Sequence, residues 1–240
     1  MIQATRSSSQ SVARAKIIDV AADLLRREGP AGVTTRAVAI GAGVQAPAIY
    51  RLFGDKEGLL EAVAEHVMAG YVTAKAAIVE EAASGNIDPL EDLRAGWDAQ
   101  IAFGLANTVL FHLLSDPARV QSSAAARAGR EVLLSRVHRV ALAGRLRVSE
   151  ERAVGIIQAA GIGAIQTIVA TPFEQRDAGL PDAMYDAVLN QILTDAPERA
   201  AADTLATTVA FRAIAPQLEI LSAAERSVLG EWLDRVIANH

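Results

Sequence analysis

The chain contains no cysteine, which excludes disulfide frameworks, thiolate nucleophiles and Cys-ligated zinc. That suits a reducing compartment, and a cytoplasmic location is expected. Aromatic residues are only 4% of the 240, and there are eight prolines, too few for the many turn-bounded short strands of a sandwich or barrel. His66, His112, His138 and His240 have no compact ligand spacing, so no metal site is expected. Residues Met1 to Gln10 lack the apolar run of a secretory signal and read as part of a disordered arm over 1–11. What is abundant is alanine, with leucine, valine and isoleucine, and an all-α fold is expected.

The formal net charge of −5 is unevenly spread. Residues 1–58 hold eight Lys and Arg against five Asp and Glu, a net of +3, while the remainder holds fifteen against twenty-three, a net of −8. A basic module therefore precedes an acidic one, a pattern that fits nucleic-acid contact by the first. From Ala153 to Phe173 no residue is charged, a span long enough to cross a bilayer. Gln158, Gln166, Thr167 and Thr171 interrupt it, three glycines dilute it and no basic cluster flanks it. A helix buried in protein is expected there, not a membrane span.

Helix signals run along the chain. Val12 to Glu28 places Ile17, Val20, Ala21, Leu24 and Leu25 on one stripe before Gly29-Pro30 stops it. A short second helix starts near Thr34-Thr35 and ends at Gly43, which permits a left-handed turn. A third follows, with Gln45 near its cap and Pro47 in its first turn, where a missing N–H matters least. Two short helices joined by a tight turn containing glycine form a helix-turn-helix, whose second helix can enter a DNA major groove. A fourth helix starts at Asp55 and repeats Leu59, Val63 and Val67, with Tyr71 and Ile78 continuing the face, as a connector between domains would. Beyond it, Asp88-Pro89-Leu90-Glu91, Asp116-Pro117, Ser149-Glu150-Glu151 and the capping box Ser222 to Glu225 mark helix starts. Seven or eight helices are expected over 55–240, with the longest loop from Pro172 to Pro181.

The stretch Thr34-Thr35-Arg36-Ala37-Val38-Ala39, Ala42-Gly43-Val44, Ala48-Ile49-Tyr50-Arg51-Leu52-Phe53 and Asp55-Lys56-Glu57-Gly58-Leu59-Leu60 resembles the DNA-binding segment of the TetR (tetracycline-repressor) family. The resemblance spans roughly residues 12–65 without a gap. Ala37, Ile40, Gly41 and Gln45 depart from the family pattern; the missing acid at Ala37 halves a capping box, and Gly41 inside a helix costs about 1 kcal/mol relative to alanine. The resemblance implies a three-helix DNA-binding domain over 12–58 and a helical ligand-binding and dimerisation domain over 59–240. It further implies a dimeric transcriptional repressor that binds an operator and is released by a small effector.

Physical roles can be assigned beside it. Lys56 opens a helix, where the macrodipole disfavours a cation unless a phosphate sits against both. Thr34, Thr35 and Tyr50 offer hydroxyls for phosphate contact, and Arg36, Pro47 and Arg51 share the segment. Gln45 can pair with adenine, and Ala46 and Ala48 can meet thymine methyl groups. In the acidic module Gly155, Ala159, Gly163 and Thr167 recur every four residues, a face that admits a close partner helix, with the helix near Asp182–Thr194 completing a two-fold bundle. Trp97, Phe103, Asn107, Phe111 and His112 combine aromatic bulk with polar groups, as pockets for mostly apolar effectors do. An enzyme is not expected: the adjacent Glu80-Glu81 do not face one another, and no nucleophile, base and orienter can be assembled. No cofactor is implied. The alternative on the same fold is a ligand-independent architectural DNA-binding protein.

Overall fold

The computed structural model describes residues 2–84, 87–115, 123–194 and 204–239. These are helical, with short 3₁₀ turns at Phe173–Gln175 and Ala215–Gln217 and one isolated antiparallel bridge between Leu146 and Leu193. The helices are α1 (Ile2–Gly32), α2 (Thr35–Ala42), α3 (Ala46–Phe53), α4 (Lys56–Ser84), α5 (Pro89–Ala106), α6 (Thr108–Leu114), α7 (Ala124–Leu142), α8 (Glu150–Ala170), α9 (Leu180–Ile192), α10 (Thr204–Ile214) and α11 (Ala223–Ala238).

Helix α1 starts at Ile2, within the stretch read from composition as a disordered arm; no glycine or proline interrupts residues 2–28. It breaks at Gly29, where φ is 68° and ψ −171°, a conformation that a side chain would oppose. The expected caps form where they can be seen. Asp88 accepts from Leu90 N at 2.8 Å and Glu91 N at 3.2 Å, Ser149 from Arg152 N, and Ser222 and Glu225 complete the capping box. The Asp116-Pro117 signal lies outside the described residues.

Two compact units form. The first comprises residues 1–74 and 109–128, the second 75–108 and 129–240. The sequence reading divided the chain after Gly58, but Leu59, Val63 and Ala64 of α4 are buried in the core of the first unit with Ile17, Ala21, Leu24, Val38, Ala42 and Ile49, and Leu110 joins them. Glu65 of α4 also caps α7, accepting from Ala125 N at 2.7 Å and from the Ser123 hydroxyl at 2.5 Å.

In the second unit α8 is the central helix. It is long and apolar enough to cross a membrane, yet Ala153, Val154, Ile157, Gly161, Ala164, Ile165 and Ile168 are buried, and it packs against α5 and α9. Asp92, in the first turn of α5, is buried between two arginines of α7: Arg136 Nε donates to Oδ1 at 3.0 Å and Arg139 to Oδ2 at 2.8 Å. Arg139 also donates to the Ile87 carbonyl at 2.6 Å. A buried carboxylate is tolerated because both oxygens are paired.

Candidate nucleic-acid interface

Local chemistry fixes both ends of α2. Thr34 is extended, with φ −103° and ψ 149°, and its Oγ1 accepts from Ala37 N at 3.1 Å. Gly43 closes the helix in the left-handed region at φ 67°, and Val44 N reaches back to the Ala39 carbonyl at 3.0 Å. The chain then enters α3 after only Val44 and Gln45.

Gln45 holds the cap position of α3 without a side-chain cap bond and is exposed, so its amide is not committed to the helix end. Ile49 is buried in the three-helix core, and Leu52 and Phe53 are half-buried beside it. The opposite edge of α3 presents Pro47, Tyr50 and Arg51 to solvent, with Ala46 and Ala48 half-buried at its margins. Tyr50 is 53% exposed despite its bulk. Arg36 is exposed on α2, and Thr35 is half-buried.

Helix α4 begins at Lys56, which is exposed, and Asp55 Oδ1 accepts from Gly58 N at 2.8 Å. The lysine and the remaining free N–H groups of the first turn present one electropositive point. Two contacts that the sequence reading missed steady this surface. The Arg14 guanidinium lies over the Phe53 ring, 5.2 Å from its centre, tying α1 to the end of α3. Lys16 Nζ sits beside Gly43, 3.7 Å from where a Cβ there would stand, at the negative end of the α2 dipole.

Gly41 has a use that propensity conceals. A Cβ at this position would stand 2.6 Å from Val20 Cγ1, so the glycine lets α2 lie close on α1. The departure from the family pattern is thus matched to the neighbouring valine.

The residues singled out for a ligand are divided between the two units. Trp97, Phe103 and Asn107 lie in the second unit, Phe111 and His112 in the first. Phe111 is buried with its ring edge-on to His112, which is exposed. Phe103 is half-buried, and Asn107 Nδ2 donates to the Phe103 carbonyl at 3.0 Å, closing α5. Trp97 is buried against Tyr185 of α9, ring centres 5.4 Å apart. Trp97 Nε1 and the Tyr185 hydroxyl are both buried, with no hydrogen-bond partner among the described residues. Burial pushes the Tyr185 phenol up to about 12, opposed by the Arg94 guanidinium 4.9 Å from the ring centre. A cavity of about 870 Å³ in the second unit is lined instead by residues including Leu134, Arg147, Arg152, Leu205, Arg212 and Ile237.

Residues 17–63 match the family described as bacterial regulatory proteins, tetR family. Over these residues the chain is similar to that family. Its helix-turn-helix is α2 and α3. Over 53 residues, 22% of the chain, it is 47% identical to the tetracycline repressor protein class A from transposon 1721 of Escherichia coli. The matched stretch spans 24% of that protein's length. At the level of fold the likeness reaches further. RolR, solved in complex with resorcinol, superposes with a TM-score of 0.58 at 21% identity, covering 81% of this chain and 94% of RolR. A Mesorhizobium loti MAFF303099 protein described as a tetR-family transcriptional regulator gives 0.55 at 15% identity, covering 77% and 98%. The chain thus shares an all-helical fold with these two structures over most of its length.

Proposed function

We propose that the protein is a dimeric, ligand-responsive transcriptional repressor that binds a palindromic operator. The observation that carries this reading is the outward edge of α2, α3 and α4, where Thr34, Thr35, Arg36, Gln45, Ala46, Pro47, Ala48, Tyr50, Arg51 and Lys56 border a packed three-helix core. Lys56, the threonine hydroxyls and Tyr50 contact phosphates, which supply most of the affinity; Gln45 and the two alanines read base edges. One eight-residue recognition helix offers few base contacts, so two copies on a two-fold site are needed for useful specificity.

Dimerisation through α8 and α9 is supported by the direction of the small-residue stripe. Gly155, Ala159 and Thr167 are exposed and Gly163 half-buried, and Cβ atoms added at either glycine would meet nothing. The stripe is not consumed by packing among the described residues, and a partner helix could approach closely there. The effector reading rests on Trp97 and Tyr185, whose two unpartnered polar atoms suit a small, mostly apolar molecule with a hydrogen-bonding group. A soluble, cytoplasmic regulator accounts for these features without cofactor or catalysis.

Selection of bound sequences from random DNA by the purified chain tests the proposal. Two inverted half-sites about 34 Å apart are expected, bound by two protomers. Enrichment of a single asymmetric half-site, or of none, would overturn it.

A further inference from the structure

The last helix, α11, carries an apolar face that the described residues leave exposed. Ala224, Val228, Trp232 and Val236 follow one another every four residues and are all exposed, Trp232 at 57%. The opposite side of the helix, with Gly230, Leu233 and Ile237, turns toward the protein. An apolar groove of about 400 Å³ runs along the exposed face between Leu221, Ala224, Val228, Leu229 and Trp232, edged by Glu225. An exposed tryptophan in such a groove is unusual on a surface that meets only water.

The charges on this face point to its occupant. Glu225 lies in the first turn and Arg235 in the last, both exposed and both on the apolar side. If a second α11 lies antiparallel, about a two-fold axis passing between the levels of Val228 and Trp232, each residue meets a fixed counterpart. Ala224 meets Val236, Val228 meets Trp232, and Glu225 meets Arg235, each pair occurring twice. The face is self-complementary in shape class and in charge, as an isologous interface must be. The same register brings each Trp232 over the other helix's groove. A parallel pairing would place Glu225 against Glu225 and Arg235 against Arg235, so it is disfavoured.

We propose that α11 is a self-association surface on which the same helix of another copy docks antiparallel. It is separate from the α8 and α9 surface argued above, so two dimers joined through it form a dimer of dimers. Such an assembly could hold two operators, or two parts of one extended site. A helix of 16 residues is about 24 Å long and offers less than a standard interface, so the association is expected in the micromolar range and to depend on concentration.

Sedimentation of the full chain across the micromolar range tests this. Wild-type protein should reach twice the mass of Trp232→Glu, with circular dichroism the same for both. Wild-type Trp232 emission should shift to shorter wavelength as the larger species forms. Arg235→Glu should weaken the association about tenfold or more, and adding Glu225→Gln, which keeps the capping acceptor but removes the facing charge, should recover part of that loss. Loss of a fold cannot be rescued in that way. A wild-type chain that never doubles, a Trp232→Glu chain that doubles equally, or a double variant no better than Arg235→Glu alone would overturn the proposal. So would binding of vesicles that competes away the larger species, which would assign the face to lipid.

Discussion

Replacing Asp92 by alanine should destabilise the second unit severely, and the structure sets the scale. Arg136 is almost fully buried and its Nε donates to Asp92 at 3.0 Å. Without the carboxylate this guanidinium keeps its desolvation cost and loses its counter-charge, an imbalance of about 3–5 kcal/mol. Arg139 loses less, since it is partly exposed and still donates to the Ile87 carbonyl. Removing an acid from the first turn of α5 adds about 0.3–1 kcal/mol. Against a typical total of about 5–15 kcal/mol, the single change removes a large share. The double variant Asp92→Ala, Arg136→Met removes the stranded charge as well, and should recover most of the loss. Urea unfolding at neutral pH, followed by tryptophan emission, is the assay; Trp97 and Trp232 both lie in the second unit, so the signal reports on it alone. The reasoning fails if Asp92→Ala lowers stability by less than about 1 kcal/mol, or if the double variant is no better than the single one.

Gly41→Ala tests packing against propensity: helix propensity alone predicts a gain of about 1 kcal/mol, whereas the stiff Val20 side chain 2.6 Å from the new Cβ predicts a net loss in thermal unfolding. Thr34→Ala deletes the cap bond to Ala37 N and should lower first-unit stability by about 1 kcal/mol, measured by amide exchange in α2. Tyr185 predicts a loss of stability at high pH. Its phenol is pushed up to about 12 in the folded chain, so the unfolded chain releases this proton first, and stability present below about pH 10 falls as pH rises toward 12. The fall should reach about 2–3 kcal/mol at most, and Tyr185→Phe should abolish that component in urea titrations at stepped pH.

The features legible in the sequence are those written in a few consecutive residues. Thr34, Asp88, Ser149 and Ser222 cap helices as read because a cap needs only its own side chain and an N–H two or three residues on. The tight turn at Gly43 and the buried face of Ile17, Ala21 and Leu24 were readable for the same reason. Pairings across long stretches were not. Asp92 and Arg136 are 44 residues apart, and nothing near either announces the other. Trp97 was picked out by its bulk, but its partner Tyr185 lies on another helix and was not. Phe111 and His112 are near Trp97 in sequence yet belong to a different unit, because the chain crosses between units at Thr108. Gly41 is unfavourable by helix propensity alone, and its use lies in Val20, 21 residues away on α1.

The proposed function requires α2, α3 and the start of α4 to form a DNA-binding surface held to phosphates. The salt dependence of affinity for a duplex enriched from random DNA, measured by fluorescence anisotropy for the wild-type chain and Lys56→Ala, tests it most directly. Wild-type binding should weaken steeply and linearly with the logarithm of salt concentration. Lys56→Ala should lower affinity for the enriched and a random duplex by about the same factor and make the slope shallower by roughly one unit per lysine removed from a phosphate. An unchanged slope, or a loss confined to one base position, would contradict the claim.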